Sequence, residues 1–596
     1  MLQRTLAAAP QLAVALLGLG LLDAVGSAPP DRGLAKKGPH ARKVVAAAVV
    51  DESAVVPAAG TTDTLAARHL LSRGTFGVTG DDLEHVLDIG IDAWLREQLE
   101  PEGFDDEEMA ARLARYPAAG MEQDELYERF PPPQVLQRQL RRMGGDRDSV
   151  GFDQEAIQTL RLELGVQPPG RILFDLAGAK LQRAVYSERQ LEEVMTDFWF
   201  NHFNVFFGKA ADRWLVGEYE REAIRPHVFG RFEDMLVATA RHPAMLFYLD
   251  NWTNVAPDSL RTEDANFERL RAMPADRRRR FLERRGVSAE QIEQIQVVME
   301  RRRNMQQGIN ENYARELLEL HTLGVDGGYD QDDVIEVARV FTGWGITRPG
   351  RGETGPIRFS YQSRLHDPTD KQVLGETVRG SDGMGGMKEG LDVLARLAVH
   401  PSTARHLATK LAVAFVADRP PEGLVEELES VFLETGGDLR AMTFALFSSP
   451  HFYDPALYGA KLKTPFELVA SALRVSDATV MPSRPLFETL NEMGELPYAA
   501  QPPTGYPDEG EDWSNSGSLL QRVNFAIALA AGQIRGVRVP DPDDPSTVVA
   551  RVLPGADVTA LAPAIADELQ ASGTPPREYG RRTLGLALGS PEFQTR

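Results

Sequence analysis

Residues 308–344, GINENYARELLELHTLGVDGGYDQDDVIEVARVFTGW, gather the side chains best able to do acid–base or anion chemistry in this chain. Glu311, Arg315 and Glu319 are spaced i, i+4, i+8, so on a helix they line one stripe and can pair. Asn312 and Glu316 form the neighbouring stripe, while Ala314, Leu317, Leu318 and His321 share the apolar side. Asn310 suits an N-cap, Glu311 suits the positive end of the helix dipole, and Gly324 is a natural stop. One reading makes Glu316 or His321 a general base and Arg315 an anion clamp. The other is a buried helix whose polar side is tied into its neighbours, with His321 a satisfied core histidine.

A second set lies at His366-Asp367, with Asp370 and Lys371 close behind. An imidazole and two carboxylates within five residues suit a hard or borderline metal, or a positioned water. Alternatively, the aspartates organise a turn through backbone hydrogen bonds. His202 in WFNHFN, His242 in RHP and Asp250 in YLDN stand beside aromatic or apolar sequence and read singly as core residues. Neither polar segment holds a full acid–base set alone. The expectation is therefore one shared site, with Arg315, Glu316, His321, His366 and Asp367 catalytic. His202, His242, Asp250, Asn310, Asn312 and Lys371 would contact substrate there. A divalent metal is compatible, and without thiolates it would be Zn, Mn or Mg rather than an iron–sulfur centre. There is no phosphate loop, Gly-x-Ser-x-Gly elbow, His-Glu-x-x-His or Ser-x-x-Lys, and no nucleotide or haem signal.

The elements that must position these residues are helical. The chain has 596 residues, 42% hydrophobic and 26% charged, as in a soluble globular protein. Apolar spacing of the helical kind recurs from Asp63 to the C-terminus, broken by Pro and Gly. The prediction is a predominantly all-α, multi-helix body with one short β-hairpin near 357–378, where Ile357, Phe359 and Tyr361 alternate with polar residues. Thr79 with Asp82 predicts a capping box, and 496–517 reads as a Pro/Gly-rich loop. Two charged insertions, about 102–167 and 257–307, interrupt the body. The second is Arg-rich and reads as a solvated hairpin, or as a basic projection that docks an acidic partner.

Residues 1–28 read as a signal peptide: Arg4, an apolar core, then small residues. Residues 29–62, rich in Ala, Pro, Gly and basic side chains, read as a flexible linker. This predicts a periplasmic or secreted bacterial protein, touching a membrane only through an uncleaved signal segment, since the apolar core is short of the ~20 residues a span needs. The absence of cysteine excludes disulfides, thiolate metal sites and a Cys nucleophile. A formal charge of −22 argues against nucleic acid as a partner.

Several blocks in order also resemble a bacterial family labelled domain of unknown function 1800. They are AARHLLSRGTFGVTGDDL, FWFNHFNV, RHPAMLFYLDN, NENYARELLELHTLGV, GGYDQDDVIEVARVFTGW, RLHDPTDKQVLG, KTPFELVASALR and TGYPDEGEDWSNSGSLLQRVNFA. The resemblance runs from about Leu65 to about Phe593. It implies a mainly α-helical exported protein and assigns no catalytic residue. It also implies a neighbour, a co-encoded member of the domain-of-unknown-function 1501 family, which is similar to sulfatases. Two functions follow as expectations: an enzyme that hydrolyses or modifies an envelope or extracellular polymer, or a noncatalytic scaffold or secretion partner for that neighbour.

Overall fold

With no cysteine to cross-link it, this chain must be held by burial. The computed structural model describes residues 63–596 apart from 106, 143–153, 258–272, 285–291, 293–307, 348–355, 482, 543 and 554–557. The segments read as signal peptide and linker lie outside the described residues, as does most of the Arg-rich insertion beyond its helix Ala275–Glu283. The body is predominantly α-helical, around one large core in which Trp199, Trp344, Tyr219, Phe203 and Phe232 are fully buried. Each such ring contributes ~1.5–3 kcal/mol or more by leaving water. No helix among the described residues is long and apolar enough to cross a membrane.

Helices start where capping chemistry allows. Thr79 and Asp82 form the expected capping box, and Asp330/Asp333 and Thr464/Glu467 form two more. The insertion at about 102–167 is helical and breaks at Pro131–Pro133 as expected, while Gly144–Gly145 falls outside the described residues. Its helices Pro133–Arg142 and Gln154–Leu164 share a small separate core of Leu136, Ile157 and Leu160.

The strands form three two-stranded antiparallel sheets: β1 (Trp344–Ile346) with β2 (Phe359–Tyr361), β3 (Lys371–Val373) with β4 (Glu376–Val378), and β5 (Thr479–Val480) with β6 (Val537–Arg538). A hairpin does lie within 357–378, but it is β3–β4 alone. Its turn residues Leu374 and Gly375 both have positive φ, 52° and 74°, which suits a two-residue hairpin loop. The segment Phe359–Tyr361 pairs backwards, with the strand after the Thr342-Gly343 turn. His366-Asp367 therefore joins two sheets rather than closing one hairpin.

Residues 496–517 are not slack. Asn201, at the end of the helix Gln190–His202, donates to the carbonyl of Tyr506 (2.9 Å) and accepts from its amide (2.7 Å). Gly505 sits beside this clamp with φ +73°, and a Cβ there would lie 2.3 Å from Asn201 Oδ1. Gly505→Ala should thus cost more than ~1 kcal/mol, and the loop should become the first site cut in limited proteolysis. Urea denaturation with and without a brief protease pulse tests this; an unchanged midpoint and cleavage pattern would contradict it.

Candidate functional site

The segment around Arg315 is less regular than its spacing suggests. It is α-helical over Asn312–Glu316 and a π-helix over Leu317–Thr322, where Thr322 Oγ donates to the Leu317 carbonyl at 2.6 Å. Glu311 takes the cap position without a side-chain bond, while Asn310 accepts from the amide of Asn312 at 3.0 Å. Gly324 has φ +83°, and a Cβ there would come within 2.9 Å of the His406 ring. The amides are consumed structurally. Asn310 donates to Asp250 O (3.3 Å) and Thr253 Oγ (3.1 Å), and Asn312 donates to Leu249 O (3.2 Å). Arg315, half-exposed, bonds Glu311 (3.1 Å) and Gln331 (2.8 Å). Glu316 is half-buried; burial and Glu319 raise its pKa.

His321 lies on the opposite, buried side. Its ring is 6.2 Å from His202 and 5.0 Å from Phe203, and His406 sits 6.1 Å from His202. His202 Nε2 donates to the His321 carbonyl at 3.2 Å, and His406 Nε2 donates to that of Leu320 at 3.0 Å. Burial, then the neighbouring His406 and Lys410, holds His321 neutral down to about pH 3. His242 is a cap: its Nδ1 accepts from the Ala244 amide at 3.2 Å, and burial brings its pKa to about 3. Asp250, in a left-handed conformation (φ 59°), pairs with Lys209 at 2.9 Å.

His366 and Asp367 belong to a different cluster. His366 Nδ1 donates to the Thr342 carbonyl (3.0 Å), leaving Nε2 to face Lys371 at 3.5 Å and Glu389 at 3.3 Å. Lys371, fully buried, pairs with Glu389 at 2.5 Å and donates to the Asp367 carbonyl. Burial alone would raise the Asp367 pKa, but hydrogen bonds from Arg339 (2.9 Å) and Thr369 hold it at about 2. No hydrogen bond, ion pair or ring contact joins the His321 set to the His366 set among the described residues. Histidine gathers around His321, and carboxylate chemistry around His366.

A partly open cavity lined by both polar and apolar side chains lies elsewhere, of about 80 Å³. That is room for several waters or one substrate group. Lys180, Asp197, Asn201, Glu495, Tyr498 and Tyr506 line it. Lys180, from the helix Gly170–Tyr186, pairs with Asp197 (2.8 Å) and Glu220 (3.3 Å), and Tyr498 donates to Glu220 at 3.0 Å. Glu220 opens a second π-helix, Glu220–Ile224. Burial works against the Lys180 charge, but the two carboxylates outweigh it and raise the pKa. Asp197 sits deep in the body yet leaves 34% of its side chain accessible, because its open side is the cavity. Burial raises its pKa, opposed by Lys180. Glu495 accepts from the Phe466 amide (2.7 Å) at the start of the helix Pro465–Val475, and burial, with nearby Asp197, pushes its pKa up to about 8. It is therefore a neutral acid at pH 7. Asp508, on the cavity wall, pairs at 3.0 Å with Lys410, the cation beside the histidine cluster.

Spacing along the chain does not bring these residues together, though two carry a local signal. Lys180 stands among Leu176, Ala177, Leu181 and Ala184, a charge on an apolar helix face, and Asp197 directly precedes the aromatic run FWFNHF. A trio at Glu122, Glu218 and Glu222 has ligand atoms within 4.8 Å of one another. Each already faces a guanidinium: Arg221 for Glu122 (3.4 Å) and Glu222 (3.3 Å), and Arg358 for Glu218 (3.0 Å). A cation there would have to displace those arginines.

Fold and cavity together define a large helical protein with an interior pocket lined by carboxyl groups and a lysine. A family model described as "Protein of unknown function (DUF1800)" matches residues 69–595, so the chain belongs to that family. No curated protein and no solved structure matches it.

Neutral buried histidines set an acid limit. Unfolded, His321 protonates near 6.5; folded, it does so only near 3. The unfolded chain thus binds the extra proton, so the contribution of His321 to stability is constant above pH 6.5 and falls as pH drops toward 3. Each such histidine costs on the order of 2–3 kcal/mol at about pH 4.5. His321→Gln should flatten the decline of melting temperature between pH 7 and 5; an unaltered slope would contradict the assignment.

Proposed function

We propose that the chain is an acid–base enzyme of the bacterial periplasm or exterior that hydrolyses or modifies an envelope or extracellular polymer, working in the cavity at Asp197 and Glu495. The observation that carries this reading is a pair of unlike carboxyl groups on one small cavity. Glu495 is kept protonated, and Asp197 is held against an ammonium. Three segments on which the family resemblance rests supply its walls: Phe198 and Asn201 from the first, Thr464 and Phe466 from the second, Tyr506 and Asp508 from the third.

In such a reaction Glu495 gives its proton to the leaving oxygen as the scissile bond breaks, and Asp197 takes a proton from the attacking water. Solvent exchange restores both. Lys180 opposes the rise that burial imposes on the Asp197 pKa, and Tyr498 with Glu220 fixes Lys180 in turn. The export segment read at residues 1–28 supports the location. The paired clusters at Arg315 and His366 favour a second reading, a noncatalytic scaffold for a co-encoded domain-of-unknown-function 1501 protein, because fully partnered side chains stiffen a body without offering chemistry.

The test is release of new reducing ends from peptidoglycan, alginate and a sulfated glycan by the purified protein. Asp197→Asn and Glu495→Gln should each lower the rate by ~10²–10⁴-fold, read well below the melting temperature. Glu495→Gln should hold the melting temperature at pH 7, whereas Asp197→Asn should lower it because Lys180 keeps only Glu220. No release from any of the three, or release untouched by both substitutions, would sink this reading; capture of the neighbour's purified product would then support the scaffold.

A further inference from the structure

Next to the carboxylate cavity, and sharing Arg596 with it, is a second chamber of about 320 Å³ whose electrostatics are reversed. Arg68, Lys463 and Arg596 lie on its wall with Ser72 and Ser471. Arg73 and Arg522, both fully buried, are within electrostatic reach of Lys463. Among the described residues one ion pair serves these five cations, Arg596 with Glu467 at 2.7 Å. Glu592 is also on the wall, but it is exposed and pairs with none of them.

The donors are as under-used as the charges. Lys463, nine-tenths buried, has one hydrogen-bond partner, Ser471 Oγ at 2.9 Å, and rests on the Phe593 ring at 3.9 Å. Arg73 donates once, from Nη2 to the Leu457 carbonyl at 3.1 Å, leaving Nε and Nη1 buried without an acceptor. Nε of Arg68, Nε of Arg596 and Nη2 of Arg522 are in the same condition. An uncompensated buried cation costs several kcal/mol, and buried N–H groups are nearly always paired. Burial brings the Lys463 pKa down to about 7; Glu467 opposes this, while Arg596, Arg73 and Arg522 add to it. His69, stacked on Tyr458 at the same wall, stays neutral to about pH 3. The chamber has surplus positive charge and space, with unpaired donors beside it.

We propose that this chamber is a binding site for a tetrahedral oxyanion, a sulfate or phosphate group, held by Lys463, Arg68 and Arg596. Guanidinium forks and an ammonium match such an anion in geometry and charge, and Ser72 and Ser471 add hydroxyl donors. The site does not depend on the neighbouring carboxylates being catalytic. If they are, it places an anionic substituent one residue from the reacting group, since Arg596 borders both spaces.

The experiment is calorimetric titration of the full chain with sodium sulfate and with sodium phosphate at pH 6.5, against sodium chloride at matched ionic strength. Saturable one-site binding of either oxyanion is expected, weakened at least tenfold in Lys463→Met and in Arg68→Gln. Preference for one salt identifies the ester class. Lys463→Met removes a repelled charge, so without anion it should melt no lower than the parent, and Arg68, being half-buried, can be changed without opening the core. Absence of saturation in the parent up to ~10 mM, or equal affinity in both variants, would overturn the site; activity of the carboxylate cavity is read separately and is unaffected by that outcome.

Discussion

An ammonium group between two carboxylates deep in a helical body is the contact on which the architecture turns. Lys180 joins Asp197 and Glu220, and so ties together the helix Gly170–Tyr186, the helix Gln190–His202 and the π-helical turn at Glu220. Removing either carboxylate would leave a buried charge without its counter-ion, an expense of ~3–5 kcal/mol. The triplet also extends outward. Glu220 reaches Arg225 at 3.8 Å, and Arg225 makes a two-pronged bond to Glu193 at 2.9 and 2.7 Å. A core free of disulfides holds its geometry here by charge pairing on top of aromatic burial.

The same principle explains why the interior is divided by sign. Acid groups collect on one side of the Arg596–Glu467 pair and cations on the other. Two cavities with opposite surplus charge meet at a single ion pair. Glu495 relieves its side by staying protonated, and Lys463 relieves the other by titrating near neutrality. The π-helical stretches at Glu220 and Leu317 fit this picture, because an extra residue in a turn re-aims the side chains that follow it.

Much of this was legible in the sequence. Helical class, the Thr79 capping box, the break at Pro131–Pro133 and the stop at Gly324 follow from local chemistry, which sequence displays directly. The burial of His202, His242 and His321 also follows from their apolar neighbours. Strand pairing was harder: Phe359–Tyr361 alternates correctly, but nothing local reveals that its partner is Trp344–Ile346. The cavity was harder still. Its carboxyls come from Asp197 and Glu495, far apart in sequence, and each is ordinary until burial shifts its proton affinity. The polar residues at 310–321 have structural partners in the fold. Those groups are plentiful because they tie the loop 250–254 and the Gln331–Val340 helix to the core, as the bonds from Asn310 to Thr253 and from Arg315 to Gln331 illustrate.

Burial keeps Glu495 protonated at neutral pH on a cavity where Asp197 faces an ammonium, and vibrational spectroscopy reads that proton most directly. An infrared difference spectrum between the parent and Glu495→Gln, recorded at pH 7, should contain a protonated carboxyl C=O band that disappears as pH rises through about 8. A difference spectrum at pH 7 carrying only ionised carboxylate bands would contradict the account.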